Sequence, residues 1–233
     1  MNLYKHYSFD LWLTLIRSNP EFKKKRAEYF FRNFNHLHKS LDEVNYIFRQ
    51  VDLMCNAVNE KTGKNIDADE MYLMVISLIN ENALPLSQVD LQQVFSDMEN
   101  LLFNYLPFVY CNETIPVLSH LKENPANSIS ILSNTGFIKG STLRKVLSEL
   151  QLTTFFNFQL YSDEAGLSKP SKELFELLLA EVTERRGSEI IYPEEIIHVG
   201  DNPRADVEGA RTVGINSFLI NSNDLRIADL IKK

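Results

Sequence analysis

Tyr7-Ser8-Phe9-Asp10-Leu11-Trp12-Leu13-Thr14-Leu15 decides how the rest of the chain is read. The apolar run Tyr7–Leu11 carries one carboxylate near its end and then passes into a turn, the pattern of a buried strand with a reactive group at its carboxyl end. Four later runs have the same texture: Ile129–Leu132, Phe158–Tyr161, Ile196–Val199 and Ser217–Ile220. Helical spacing recurs at 114–123, 140–150, 171–186 and 204–213. Short apolar runs alternating with helices of this length require right-handed crossovers. The expected fold is therefore α/β, a Rossmann-like parallel five-stranded sheet with helices on both faces. Ligands of such sheets sit outside the carboxyl ends of the strands, so chemistry is expected just after each run.

From about residue 20 to 105 the period is helical throughout. Leu41, Val44, Ile47, Val51, Met54 and Val58 recur at three- and four-residue steps. So do Met71, Met74, Val75, Leu78 and Ile79, then Val94, Met98, Leu101, Leu102 and Tyr105. A further helix is expected through Phe22, Tyr29, Phe30, Phe34 and Leu37, its aromatic residues filling a core. Turn chemistry separates these segments: Ser40-Leu41-Asp42-Glu43, Thr62-Gly63-Lys64-Asn65, Asp67-Ala68-Asp69-Glu70 and Leu84-Pro85-Leu86-Ser87. The chain is thus divided into an α/β core (1–17 and 108–233) and an all-helical insert (18–107). The connections near 16–20 and 104–112 act as hinges, the second stiffened by Leu106-Pro107.

The 233 residues are 44% hydrophobic and 24% charged, which excludes a disordered or fibrous chain. With 24 basic against 31 acidic residues the net charge is −7, the wrong sign for a generic nucleic-acid binder. Lys23-Lys24-Lys25-Arg26 then reads as a solvated helix face. No stretch reaches the ~20 apolar residues of a membrane span, so no membrane partner is expected. Lys5, His6, Asp10 and Arg17 interrupt any secretory h-region. Two cysteines, Cys55 and Cys111, build neither a disulfide framework nor a zinc site, and a reduced, cytoplasmic setting is expected. Nothing in the sequence sets an oligomeric state.

Four strand ends carry groups suited to one reaction. Asp10 follows the first run, Ser133-Asn134-Thr135-Gly136 the second, Lys169-Pro170 lies beyond the third, and Gly200-Asp201-Asn202-Pro203-Arg204-Ala205-Asp206 follows the fourth. Converging at one rim, they form a phosphoryl-transfer set. Asp10 would attack phosphorus and become an aspartyl-phosphate that water hydrolyses. Asp10 and Asp201 would repel a phosphate dianion unless a cation lay between them, and oxygen-only ligands suit Mg²⁺. Lys169 would neutralise charge. Ser133 and Asn134, with nearby backbone N–H groups, would hold phosphoryl oxygens. Asp206 would orient water or Lys169.

In order and placement these motifs resemble the haloacid dehalogenase-like hydrolase superfamily. Ser8-Phe9-Asp10-Leu11-Trp12-Leu13-Thr14-Leu15 matches its first motif with one departure, Ile131-Leu132-Ser133-Asn134 its second, Ser168-Lys169-Pro170 its third, and Gly200-Asp201 with Asp206 its fourth. The resemblance extends over nearly the whole chain. It implies that the insert is a helical cap, as in the phosphoglycolate phosphatase-like and dehalogenase-like branch, and that the substrate is a small phosphorylated metabolite. It implies metal ligation by Asp10, by the carbonyl of residue 12 and by Asp201, with Asp206, Asn202 and Thr14 supporting. The departure is Trp12, where most phosphatases of the family place an Asp acid–base group. Two other activities fit the same resemblance. A metal-free 2-haloacid dehalogenase would have an aromatic residue at position 12 and use Arg17 or Arg32 for the substrate. A catalytically impaired protein would use the scaffold for binding or regulation. His36 and His38 are candidates for a replacement acid, but read better as surface residues.

Overall fold

The computed structural model describes residues 4–232; positions 1–3 and 233 of the expected core lie outside them. In chain order the elements are β1 (His6–Phe9), β2 (Ile16–Arg17), α1 (Pro20–Asn33), α2 (Leu41–Thr62), α3 (Ala68–Ile79), α4 (Leu91–Asn104), β3 (Phe108–Val109), α5 (Thr114–Glu123), β4 (Ser128–Ser133), α6 (Gly140–Glu149), β5 (Phe158–Tyr161), α7 (Ser162–Ala165), α8 (Lys172–Arg186), β6 (Ile196–Gly200), α9 (Gly209–Arg211) and β7 (Asn216–Leu219). The sheet is parallel throughout, in the order β5-β4-β1-β6-β7. The fold is the expected α/β arrangement.

Alternation along the central strands assigns each face its cover. Tyr7, Phe9, Ile129, Ile131, Ile197 and Val199 pack with Val117, Leu118 and Leu121 of α5 and Leu143 and Leu147 of α6. Leu132, Phe158 and Ile196 pack on the other face with Leu174, Phe175, Leu178 and Val182 of α8. Burial on both faces is what a parallel sheet with crossover helices requires.

The helices between β2 and β3 start and stop where the turn chemistry lies. Asn19 caps α1, with Pro20 in its first turn. Ser40 and Glu43 form a reciprocal capping box on α2, which ends on Gly63 in the left-handed region (φ 70°). Four details differ from the periodicity reading: Leu78 of α3 is exposed, Tyr105 lies just past the end of α4, and two more concern α1 and α2. Helix α1 stops at Asn33, so Phe34 and Leu37 lie past its end. The buried face of α2 is Val44, Phe48, Val51, Cys55 and Asn59, while Met54 and Val58 are exposed. The steps of this stripe average 3.4 residues, (58 − 41)/5, short of the 3.6-residue period, and the drift over residues 41–58 carries Met54 and Val58 toward the solvent edge of α2. The segment expected as a helix at 204–213 is a π-helical turn, Pro203–Glu208, followed by the single turn α9.

β2 and β3 pair antiparallel, Ile16 with Val109 and Arg17 with Phe108, so the chain enters and leaves the helical segment through one ribbon. Elsewhere, Phe137 after β4 inserts into the helical core, 5.3 Å from Phe48 and 5.1 Å from Tyr72 between ring centroids. The α2–α3 turn also reaches the loop between α7 and α8: Ser168 N–H donates to Gly63 O at 3.0 Å. No helix among the described residues is long and apolar enough to cross a membrane.

Candidate active site

The sheet register puts the candidate groups at one rim. Phe9 lies level with Ile131 and Val199, and Asp10 N–H continues the ladder to Val199 O at 2.8 Å. Asp10 therefore leaves β1 beside Ser133, the last residue of β4, and Asp201, the first after β6. Lys169 approaches from the loop between α7 and α8. Its Nζ is 2.7 Å from Asp10 Oδ1 and 2.6 Å from Asp206 Oδ1, with all three side chains buried. Ligand oxygens of Asp10, Asp201 and Asp206 lie within 4.8 Å of one another, a group that could hold a metal ion.

Each charged group has further partners. Thr14 Oγ1 donates to Asp10 Oδ2 at 3.2 Å. Asp206 Oδ2 accepts the Asn202 N–H at 2.9 Å, and its Oδ1 lies 3.1 Å from His198 Nε2. Gly200 makes this approach possible, because a Cβ there would collide with the Asp206 carboxylate. The wide π-helical turn carries Asp206 back toward the sheet, which explains the irregular helix at this point.

The electrostatics are those of an acidic cluster with too little positive charge. Burial works to lower the Lys169 ammonium, but Asp10 and Asp206 outweigh it and hold it above the usual lysine value. Burial works upward on Asp206, yet Lys169 and His198 keep it well below the carboxylate range. Burial raises Asp10 against the pull of Lys169. Asp201, with burial and then the negative charges of Asp10 and Asp206 acting on it, is pushed up to about 7. One ammonium faces three carboxylates, and the all-oxygen donor set suits a hard divalent cation.

Asn134 occupies its expected place in an unexpected way. Its side chain accepts the Lys169 N–H at 2.7 Å and donates to Lys169 O at 3.0 Å, so the amide clasps the lysine backbone. Any anion contact from this residue falls to its main chain. Ser133 is buried, its Oγ 3.2 Å from Asn134 O. Trp12 is half-buried against the apolar core and bridges to Ile16 in a turn whose next residue, Leu13, is left-handed (φ 59°). Asn202 donates its side-chain amide to Glu60 Oε1 of α2 at 3.0 Å. Arg17 lies over the Phe108 ring and Arg32 pairs with Glu28, while His36 and His38 are exposed.

The sequence reading missed His198. Its Nδ1 lies 2.9 Å from Ser8 Oγ, so with Ser8 donating there, Nε2 carries the proton given to Asp206. Burial lowers its pKa and keeps it neutral. The available signal was the alternation of β1 and β6, which sets His6, Ser8 and His198 among apolar neighbours. His6, one strand over, is likewise buried, but its ring contacts only hydroxyls, Ser128 Oγ at 2.7 Å and Ser130 Oγ at 2.9 Å, and burial lowers its pKa to about 3.

Residues 4–214 match the family described as haloacid dehalogenase-like hydrolase. Among curated relatives, a phosphoserine phosphatase from Thermus thermophilus is 34% identical over 97 residues, 37% of this chain and 36% of that protein. A glyceraldehyde 3-phosphate phosphatase from Methanothermobacter thermautotrophicus is 27% identical over 169 residues, 69% of this chain and 72% of its own. The first curated relatives are matched over about two-fifths of their length. In three dimensions the chain is similar to the HAD-hydrolase YfnB from Bacillus subtilis bound to magnesium, with a TM-score of 0.68 at 18% identity over 96% of this chain and 91% of that one.

Proposed function

The chain belongs to the haloacid dehalogenase-like hydrolase family, and from that premise we propose that it is a Mg²⁺-dependent phosphatase of a small phosphorylated metabolite. The observation that carries the reading is Lys169 Nζ, buried at 2.7 Å from Asp10 and 2.6 Å from Asp206, inside a cluster of three carboxylates. The fixed ammonium works against burial and the Asp206 charge to favour the Asp10 anion, the form a nucleophile needs.

Asp10 attacks phosphorus, the P–O bond to the leaving group breaks, and the resulting aspartyl-phosphate is cleaved by water to give inorganic phosphate and free Asp10. Lys169 keeps its proton throughout and offsets charge on Asp10 and the phosphoryl oxygens. Asp206 holds Lys169 in that aim, steadied by His198 and the Asn202 N–H. Ser133 Oγ and the Asn134 N–H receive phosphoryl oxygens, the Thr135 N–H being held by Ser162 Oγ. Asp10, Asp201 and the carbonyl of Trp12 would hold Mg²⁺, which supplies charge neutralisation for the carboxylates and the transferred group. The two curated phosphatases support this choice over dehalogenation. So does the commitment of Arg17 and Arg32 to other partners.

Trp12 gives no proton to the leaving group. The enzyme therefore suits acyl or aryl phosphates, whose leaving groups depart as anions. The test is hydrolysis of p-nitrophenyl phosphate, an acyl phosphate and an alkyl phosphate, each with and without Mg²⁺, alongside 2-chloropropionate. Mg²⁺-dependent phosphate release that disappears in Asp10→Asn supports the proposal. Chloride release without phosphatase activity would transfer the chain to the dehalogenase reading.

A further inference from the structure

A side chain of the helical segment touches the start of α7 and the loop that carries Lys169, and through Ser162 it is linked to the loop after β4. Asn65 lies in the turn between α2 and α3. Its Oδ1 accepts from Ser162 Oγ at 2.7 Å and, at the longer distance of 3.4 Å, from Ser168 Oγ. Its Nδ2 donates to Asp67 Oδ1 at 2.7 Å, which fixes the end of the amide that faces the serines. Both serines are fully buried. Ser162 Oγ accepts the Thr135 N–H at 2.7 Å and lies 3.0 Å from Thr135 Oγ1. Thr135 is two residues beyond Ser133, and Ser168 immediately precedes Lys169.

The valences order this network. Ser162 has one hydroxyl proton, and the Thr135 N–H already occupies its oxygen as an acceptor. With that proton on Asn65 Oδ1, the Thr135 hydroxyl donates to Ser162, and each bond has one direction. Without Asn65 the Ser162 proton has Thr135 Oγ1 within reach, and the order between the two loops is lost. The backbone beside Asn65 reinforces the link. Gly63 O takes the Ser168 N–H, and Lys64 bridges Leu167 in antiparallel fashion.

We propose that Asn65 is a positioning residue, carried by the helical segment, that sets the Ser133–Thr135 and Ser168–Lys169 loops in register when that segment lies against the sheet. Asn134 clasps the same two loops from within the sheet domain. Asn65 adds a clamp that moves with the insert, so the phosphoryl-binding and ammonium-bearing loops are fully ordered only when the insert is docked. Small misplacements of reacting groups cost up to about 10²-fold in rate, so losing the clamp falls on kcat.

The kinetic arm rests on the phosphatase reading; the exchange arm does not. Asn65→Ala should lower kcat on p-nitrophenyl phosphate by roughly tenfold or more, with KM changed by no more than about threefold. In a Ser162→Ala/Ser168→Ala background the same substitution should cost no more than about twofold, because its partners are already gone. Hydrogen-exchange mass spectrometry should show about tenfold faster exchange in Asn65→Ala over 133–137 and 166–170, with β1 and β6 unchanged. Unchanged exchange at both loops overturns the inference, as does an equal kcat loss in both backgrounds. Faster exchange in a protein whose wild type hydrolyses no phosphate supports the clamp and overturns the phosphatase reading.

Discussion

Replacing Lys169 by methionine removes the ammonium that Asp10 and Asp206 share and leaves a stem of similar length in a site with almost no solvent. The two carboxylates then face each other across no more than 4.8 Å. At an effective dielectric of about 20, two unit charges at that separation repel by about 3.5 kcal/mol. Deleting one partner of a buried ion pair costs ~3–5 kcal/mol, and the repulsion alone reaches that range. For a chain of this size a loss of that order lowers Tm by about 8–15 °C. The pH dependence follows from the carboxylates. In the wild type Asp206 is held below its unfolded value, so its contribution is present above about pH 4 and is lost as pH falls below that. In Lys169→Met the carboxylates are raised above their unfolded values. Their contribution is then present at low pH and is lost as pH rises through the new, higher values. The stability gap should therefore be widest above pH 7 and narrow toward pH 5. Mg²⁺ should restore part of it, since a bound cation stabilises in proportion to its occupancy. Urea unfolding of both proteins at pH 5, 6 and 7.5, with and without Mg²⁺, measures all three effects. A gap below about 1 kcal/mol, or one equally wide at pH 5 and 7.5, would refute the ion-pair account.

His198→Phe keeps a ring against Phe175, which packs edge-on at 5.3 Å, but removes the donor to Asp206. Its kcat on p-nitrophenyl phosphate should fall roughly 10–100-fold, with partial recovery in His198→Gln. Asp201, raised to about 7, must lose its proton to bind a cation. Calorimetry should show apparent Mg²⁺ affinity falling, with more protons released, as pH drops from 8 to 6; a flat profile would contradict the shift. Trp12→Asp should narrow the rate gap between aryl and alkyl phosphates by up to roughly 10². An unchanged gap in a variant that melts like the wild type would place the proton donor elsewhere.

The rim itself was legible because its residues are local signals. Asp10, Ser133, Asp201 and the α/β texture each sit at a strand end, and a parallel sheet brings strand ends together without further information. The contact of Lys169 with Asp10, and that of Asp206 with Lys169 as one of two options, were legible too; the backbone that delivers Asp206 was not. That delivery depends on a π-helical turn where the periodicity suggested an ordinary helix, and on a glycine whose missing Cβ admits a carboxylate. The face of α2 was misread because its packing partners come from other elements: Phe48 meets Phe30 of α1 and Phe137 from beyond β4. A hydrophobic pattern records how apolar a face is, not which side a distant ring will cover.

His198 and Asn65 show where sequence reasoning stops. Each would be dismissed locally, one as a polar interruption in a strand and the other as a turn residue. Their roles come from partners distant in sequence, Ser8 for His198 and Ser162 and Ser168 for Asn65. Their physical logic is the same. A neutral group with a fixed hydrogen-bond direction orders its neighbour, a carboxylate for buried His198 and two buried hydroxyls for half-buried Asn65, without adding charge of its own. In a site where one ammonium already faces three carboxylates, another anion would raise the repulsion and another cation would compete with the proposed Mg²⁺. Neutral histidine and asparagine avoid both. They can hold Asp206 and the two loops in place while leaving the charge balance to Lys169 and the cation.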